Sequence, residues 1–212
     1  YTYLDAFGLG RPASIDFPGE ASGDLPHVDD WCQTCGTSAA IGYGVSVTAL
    51  QLATAYAAIA NDGEWVEPYV VAEIVAADGQ REVTEPRQHR AISAQTALAM
   101  RRMLARVIDV GTGTRAAVSG YSAAGKTGTT ERFDVDLKAY SETDTIANFV
   151  GMAPIDEPQI VVAVVLDTPH GELDDGTEMR LAAGSAAPAF ADIAGPVLHL
   201  LGVAPDRPVD ED

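Results

Sequence analysis

The chain has 212 residues, 47% hydrophobic and 21% charged, a globular composition able to bury one sizeable core or part of a larger one, and not that of a disordered tail. Thirteen Lys and Arg stand against 31 Asp and Glu, a formal net charge of −18. That balance reads as a solvated acidic surface and argues against a nucleic-acid partner, since phosphate binding needs clustered cations. No run approaches the roughly 18–20 apolar residues of a membrane helix, and no basic-then-apolar leader opens the sequence.

In chain order, Leu4 and Phe7 are spaced like the last turns of an amphipathic helix whose start lies outside the chain, so the sequence reads as a fragment. From Phe7 to Gly44 the chain is dense in Gly, Pro and Asp, the composition of a long ordered connection such as forms active-site rims. Within it lies Cys32-Gln33-Thr34-Cys35. In an exported protein the favoured reading is a local disulfide. A zinc site would have the two thiolates and His27 with a ligand still to find, and a redox role lacks its strand-to-helix setting. Thr48 can cap a buried helix with Leu52, Ala55, Tyr56 and Ile59 at helical spacing and a stop at Asn61-Asp62-Gly63. Val70 to Ala76, the turn Asp78-Gly79 and Arg81 to Val83 read as a small surface hairpin.

Ser93 can cap a second helix with Ala97, Met100, Leu104 and Val107 on one face, Arg101, Arg102 and Arg106 on the wet face, and Gly111 at its end. Gly111-Thr112-Gly113-Thr114 fits no phosphate-cradling signature, because no Gly-Lys-Ser/Thr follows at the required spacing. Ile146 to Met152 and Gln159 to Leu166 read as adjacent antiparallel strands. A last helix follows Ser185 and carries Phe190, Ile193, Val197 and Leu200, with Gly195-Pro196 expected to kink or split it. Residues 206–212 read as a frayed acidic tail.

The chemistry concentrates in Gly125-Lys126-Thr127-Gly128-Thr129-Thr130. Preceded by small residues and followed, after a polar loop, by two apolar strands, it can form one edge of an antiparallel sheet. Free N–H and C=O groups of such an edge can pair with an extended peptide, and Gly128 removes a side chain that would block approach. Lys126 adds a cation. The Thr127 and Thr129 hydroxyls share a face by period-two alternation and can hydrogen-bond a terminal carboxylate.

Lys126-Thr127-Gly128-Thr129 resembles the third motif of the serine penicillin-recognising enzymes, whose first two are Ser-x-x-Lys and Ser-x-Asn. Residues 3–12 and 15–20 resemble the stretch that follows the second motif in class B penicillin-binding proteins, the monofunctional division and elongation transpeptidases. Residues 42–53 and 148–154 resemble that family's segments on either side of the third motif. The resemblance covers almost the whole chain and implies an α+β (α/β) fold, an antiparallel sheet of five strands flanked by helices, incomplete in this chain. Residues 1–205 would be the C-terminal portion of the transpeptidase domain. It further implies crosslinking of D-Ala-D-Ala stem peptides through a serine acyl-enzyme, binding of β-lactams at the same site, no cofactor or metal, and a place on the extracytoplasmic face of the membrane, anchored by a segment outside this chain. Partners would be the upstream part of the same domain and cell-division or elongation proteins. Lys126 takes the catalytic position, with Thr127, Gly128 and Thr129 binding substrate and a backbone N–H of this strand contributing to the oxyanion hole.

Two of the three motifs are absent. The two lysines, Lys126 and Lys138, have Ala123 and Val135 three places before them, and the two asparagines, Asn61 and Asn148, have isoleucine two places before. The four histidines show no triad logic. The nucleophile is therefore expected from outside the chain, and the chain alone is expected not to acylate. The rivals are a non-catalytic sensor domain that has lost its serine and a β-lactamase or carboxypeptidase on the same fold. Ala49 replaces the family's usual proline, and residues 133–143 read as a lengthened loop beside the third motif.

Overall fold

In the computed structural model, which describes residues 1–134, 136 and 138–208, the chain forms two compact units, Tyr1–Ala97 and Leu98–Asp212. The first holds α1 (Thr2–Ala6), a 3₁₀ turn (Val28–Asp30), α2 (Cys35–Ala39), α3 (Ala49–Ala60), β1 (Glu64–Val66), β2 (Glu73–Val75), β3 (Arg81–Val83) and β4 (Gln88–Arg90). α3 starts where the sequence places it. The Thr48 hydroxyl accepts from Gln51 N while the Gln51 side chain accepts from Thr48 N, a complete capping box. Gln51 is fully buried, and its amide nitrogen donates to Arg11 O and Ser22 O, each at 2.7 Å, which ties the long connection to the helix. The tight stripe of α3 is therefore Gln51, Thr54, Ala58 and Ile59, not the expected Leu52, Ala55 and Tyr56. Half-buried Tyr56 is pushed up to about 12 by loss of water around its phenol.

The hairpin at Asp78-Gly79 forms as expected, β2 against β3, with every residue of both strands exposed. Pairing of β1 with β4 was not expected, because no turn dipeptide joins strands so far apart in sequence. Trp65 on β1 lies against His89 on β4, ring centroids 5.1 Å apart, and His89 Nε2 meets Ala6 O at 2.7 Å. Cys32 and Cys35 are joined by a disulfide, with Cα atoms 5.0 Å apart.

Most of α4 (Ala94–Val110) belongs to the second unit, with a 3₁₀ turn (Thr114–Ala116), β5 (Ala124–Asp134), β6 (Ala139–Ala153), β7 (Ile160–Asp167) and α5 (Ala186–Leu200). The antiparallel sheet runs β5-β6-β7, with β5 at an edge; the five strands the resemblance implies are not complete within this chain. One sheet face, carrying Ala147 and Phe149, packs on α5 through Phe190, Ala194 and Leu198. The Phe149 and Phe190 rings, both fully buried, lie 4.9 Å apart. Gly125 and Gly151, cross-strand partners, leave room for them: a Cβ on Gly125 would stand 2.6 Å from Phe149 Cζ and 2.7 Å from Val150 O.

Four expectations need correction here. Arg101 is not on the wet face of α4 but 5% exposed, in the stripe Ala97, Arg101, Ala105, Ile108. Pro196 does not split α5, because the carbonyl it leaves without a donor belongs to Asp192 on the exposed side, where water can satisfy it. Ile193 and Leu200, expected in the core, are 43% and 85% exposed. The segment expected as a loop at 133–143 is largely a two-stranded ribbon, with Phe133 paired to Tyr140 and Asp134 to Ala139 beyond a bulge; Val135 and Leu137 in its turn lie outside the described residues.

Candidate active site

The site is built on β5. Its first residues, Ala124 and Gly125, are buried, whereas Lys126 is exposed and Thr127 and Gly128 are half-buried. The register Thr127 to Phe149 and Thr129 to Ala147 puts both threonines on the α5 face, as alternation requires. Lys126 and Gly128 start on the other face. Lys126 then bends over the strand: its Nζ donates to Thr127 O and to Thr127 Oγ1, both at 2.9 Å, and reaches Thr112 Oγ1 at 3.5 Å. The Thr112 and Thr127 hydroxyls are 2.7 Å apart. Thr129 Oγ1 accepts from Ala182 N at 3.1 Å, which leaves its hydrogen to donate.

The neighbouring arginines are already matched: Arg115 to Asp175, Arg132 to Asp167 and Arg180 to Glu178. Lys126 pairs with no carboxylate among the described residues, so its charge is available to an anion. Gly128 has a steric reason within the fold. A Cβ there would meet the Asn148 amide at 2.6 Å, because Asn148 of β6 lies directly opposite.

The four expected residues are thus contiguous on one open strand edge, and Thr112 joins them unforeseen. The sequence dismissed Gly111-Thr112-Gly113 as a failed phosphate loop. In the structure both flanking glycines donate N–H to Val107 O, at 3.1 and 3.0 Å, capping the end of α4. A Cβ on Gly111 would meet Val107 Cα and O at 2.8 Å, and one on Gly113 would meet Phe149 Cε2 at 3.1 Å. The available signal was a hydroxyl between two glycines just past a helix end.

The description of the penicillin binding protein transpeptidase domain matches residues 1–195. The chain belongs to the penicillin-binding transpeptidase family. It is 37% identical, over 97% of its length, to the penicillin-binding protein PbpB of Mycolicibacterium smegmatis, of which it covers 33%. It is 34% identical, over 96% of its length, to the probable peptidoglycan D,D-transpeptidase PbpC of Pseudomonas aeruginosa, again covering 33%. Against the crystal structure of apo penicillin binding protein 3 from Mycobacterium tuberculosis the TM-score is 0.88 at 37% identity, covering 99% of this chain and 48% of that one. The ampicillin complex of the same protein gives a TM-score of 0.87 at 36% identity, with coverages of 99% and 48%. The chain thus spans about a third of the length of these curated relatives and about half of the solved chain.

Past the matched transpeptidase residues, the segment after α5 is pinned to the start of β5. Tyr121 donates its hydroxyl to Val203 O at 2.8 Å, Asp206 N and Arg207 N donate to Gly120 O, and Asp206 accepts from Ser122 N and Ser122 Oγ. Ser122 Oγ in turn accepts from Ile155 N at 2.9 Å. Asp206 is therefore anchored rather than frayed, and residues 209–212 of the expected tail lie outside the described residues. A cavity of about 440 Å³ beside this segment, lined by Asp109, Tyr121, Ala123 and Arg207, contains none of Lys126, Thr127, Gly128 and Thr129.

Proposed function

We propose that the chain is the C-terminal part of a class B peptidoglycan D,D-transpeptidase and that the edge of β5 holds the terminal carboxylate of a D-Ala-D-Ala stem peptide. The observation that carries this is the uncompensated Lys126 ammonium set among the Thr112, Thr127 and Thr129 hydroxyls on an unpaired strand edge. Two O–H donors and a cation suit an anion, and the exposed backbone groups of β5 suit an extended peptide beside it.

In this reading a serine supplied from outside the chain attacks the carbonyl between the two D-Ala residues. A β5 backbone N–H helps to hold the developing oxyanion. The peptide C–N bond breaks, the terminal D-Ala leaves with a proton on its amine, and an amine of a neighbouring stem peptide then displaces the serine from the acyl-enzyme. Lys126 supplies charge and orientation throughout. β-Lactams occupy the same grip, consistent with the ampicillin complex of the mycobacterial relative. The parent acts on the outer side of the cytoplasmic membrane, held by a segment not in this chain; among the described residues no helix is long and apolar enough to cross a membrane.

Fluorescent penicillin tests the proposal. The full-length parent is expected to label covalently and the isolated 212-residue chain not. Lys126→Ala in the parent is expected to slow labelling about 10- to 100-fold, the value of a hydrogen bond to a charged group. Labelling of the isolated chain, or a Lys126→Ala parent that labels at the wild-type rate, would overturn it.

A further inference from the structure

Only Gln33 and Thr34 separate the bridged Cys32 and Cys35, and the stabilisation that a disulfide gives through chain entropy grows with the loop it closes. Hydrogen bonds already hold the same turn. Cys35 N donates to Cys32 O at 3.1 Å, Ser38 N to Thr34 O at 3.1 Å, and Thr37 Oγ1 to Thr34 O at 2.7 Å. On the other side Trp31 is fixed without the sulfurs, its N donating to Val28 O at 3.2 Å and its Nε1 to Pro26 O at 2.8 Å. A bridge laid over a turn that is bonded on both sides adds little to the fold. It is also open to attack: Cys32 is exposed and Cys35 half-buried, and exposed disulfides are the labile and regulatory ones.

We infer that Cys32 and Cys35 form a thiol–disulfide exchange site whose partner is a protein dithiol. The incoming thiolate meets Cys32 Sγ, the more exposed sulfur. A bond forms between the two, the Cys32–Cys35 bond breaks, and Cys35 Sγ leaves as a thiolate that takes up the proton shed by the incoming thiol. The partner's second thiol then attacks its own sulfur in the mixed disulfide and frees Cys32 as a thiol. Two electrons pass: the partner is oxidised to a disulfide, Cys32 and Cys35 are reduced to thiols, and the reverse steps re-form the bridge. Thr34 Oγ1, 3.6 Å from Cys32 Sγ, is placed to steady the freed sulfur. Of the strand-to-helix setting expected of a redox pair, the helix is present: Cys35 opens α2, after a 3₁₀ turn where a strand would stand. The backbone bonds around the turn do not involve the sulfurs, so the pair can cycle without unfolding.

The test uses the native full-length parent, dithiothreitol as the dithiol probe, and maleimide capping with peptide mapping to read both cysteines. Both are expected to be reduced at a rate within about tenfold of that in urea, because access does not wait on unfolding. Oxidised glutathione is then expected to restore the bridge. A bridge that resists dithiothreitol until urea unfolds the parent overturns the inference. So does a reduced parent that thermolysin cuts within residues 26–44 more than about tenfold faster than the oxidised one, since the bridge is then a structural staple. Single variants read the point of entry. Oxidised glutathione is expected to form a mixed disulfide with Cys32 in Cys35→Ser about tenfold faster than with Cys35 in Cys32→Ser, as the exposure of the two sulfurs dictates. Equal rates, or the reverse order, overturn the assignment of Cys32 as the sulfur attacked.

Discussion

Replacing Gly125 with alanine probes how β5 is seated against β6 beside Lys126. The added Cβ would stand 2.6 and 2.7 Å from Phe149 Cζ and Cε1 and 2.7 Å from Val150 O. The ring cannot swing away cheaply, because Phe149 and its neighbour Phe190 are both fully buried with centroids 4.9 Å apart, and the carbonyl belongs to the partner strand. Overpacking of this kind costs about 1–3 kcal/mol. Phe149→Ala alone should cost about 3–5 kcal/mol in lost burial and cavity. With the ring gone the contact with Val150 O at 2.7 Å remains, so the double variant should lie between Phe149→Ala and the additive sum, a coupling of about 1–2 kcal/mol in a double-mutant cycle. Equilibrium urea unfolding of the four parent proteins measures it. Additivity to within about 0.5 kcal/mol would mean that the two positions do not compete for the same volume, and the steric argument would fail.

Gln51→Leu should destabilise by about 2–4 kcal/mol, since it strands Arg11 O, Ser22 O and Thr48 N at a fully buried position; limited proteolysis should then cut first between residues 11 and 24. Tyr56, raised to about 12 by burial, contributes stability that is complete below the unfolded phenol value near 10 and is lost as pH rises toward 12. A shift of two units corresponds to about 2.7 kcal/mol. Alkaline unfolding should therefore lose that part of its slope in Tyr56→Phe, and an unchanged slope would place the phenol in water.

The β5 strand that carries Lys126 was legible in the sequence, because its signals are local: small residues, hydroxyls at period two and a glycine, followed by two β-branched runs that could only pair alongside. The sequence disclosed the helices but only part of their buried sides. Ile59, Ala97 and Phe190 are buried as expected, but the rest of the tightest stripes includes Gln51, Thr54 and Ala58 in α3, Arg101 and Ala105 in α4, and Ala186, Ala194 and Leu198 in α5. Small residues permit close approach, and a buried Gln51 is affordable only because distant carbonyls receive its hydrogens; neither fact is visible in periodicity. Thr112 was missed for the same reason. Its partners lie 14 and 15 residues on, brought near by the return of the chain into β5.

The fastening of Asp206 to Ser122 bears on how the protein can be trimmed or extended. Ending the chain at the close of α5 would delete the acceptors of the Tyr121 hydroxyl and of the Ser122 amide and hydroxyl, at a turn four residues ahead of Lys126. Affinity tags and fusion joints belong beyond Asp206 and Arg207, whose amides are bonded to Gly120 O.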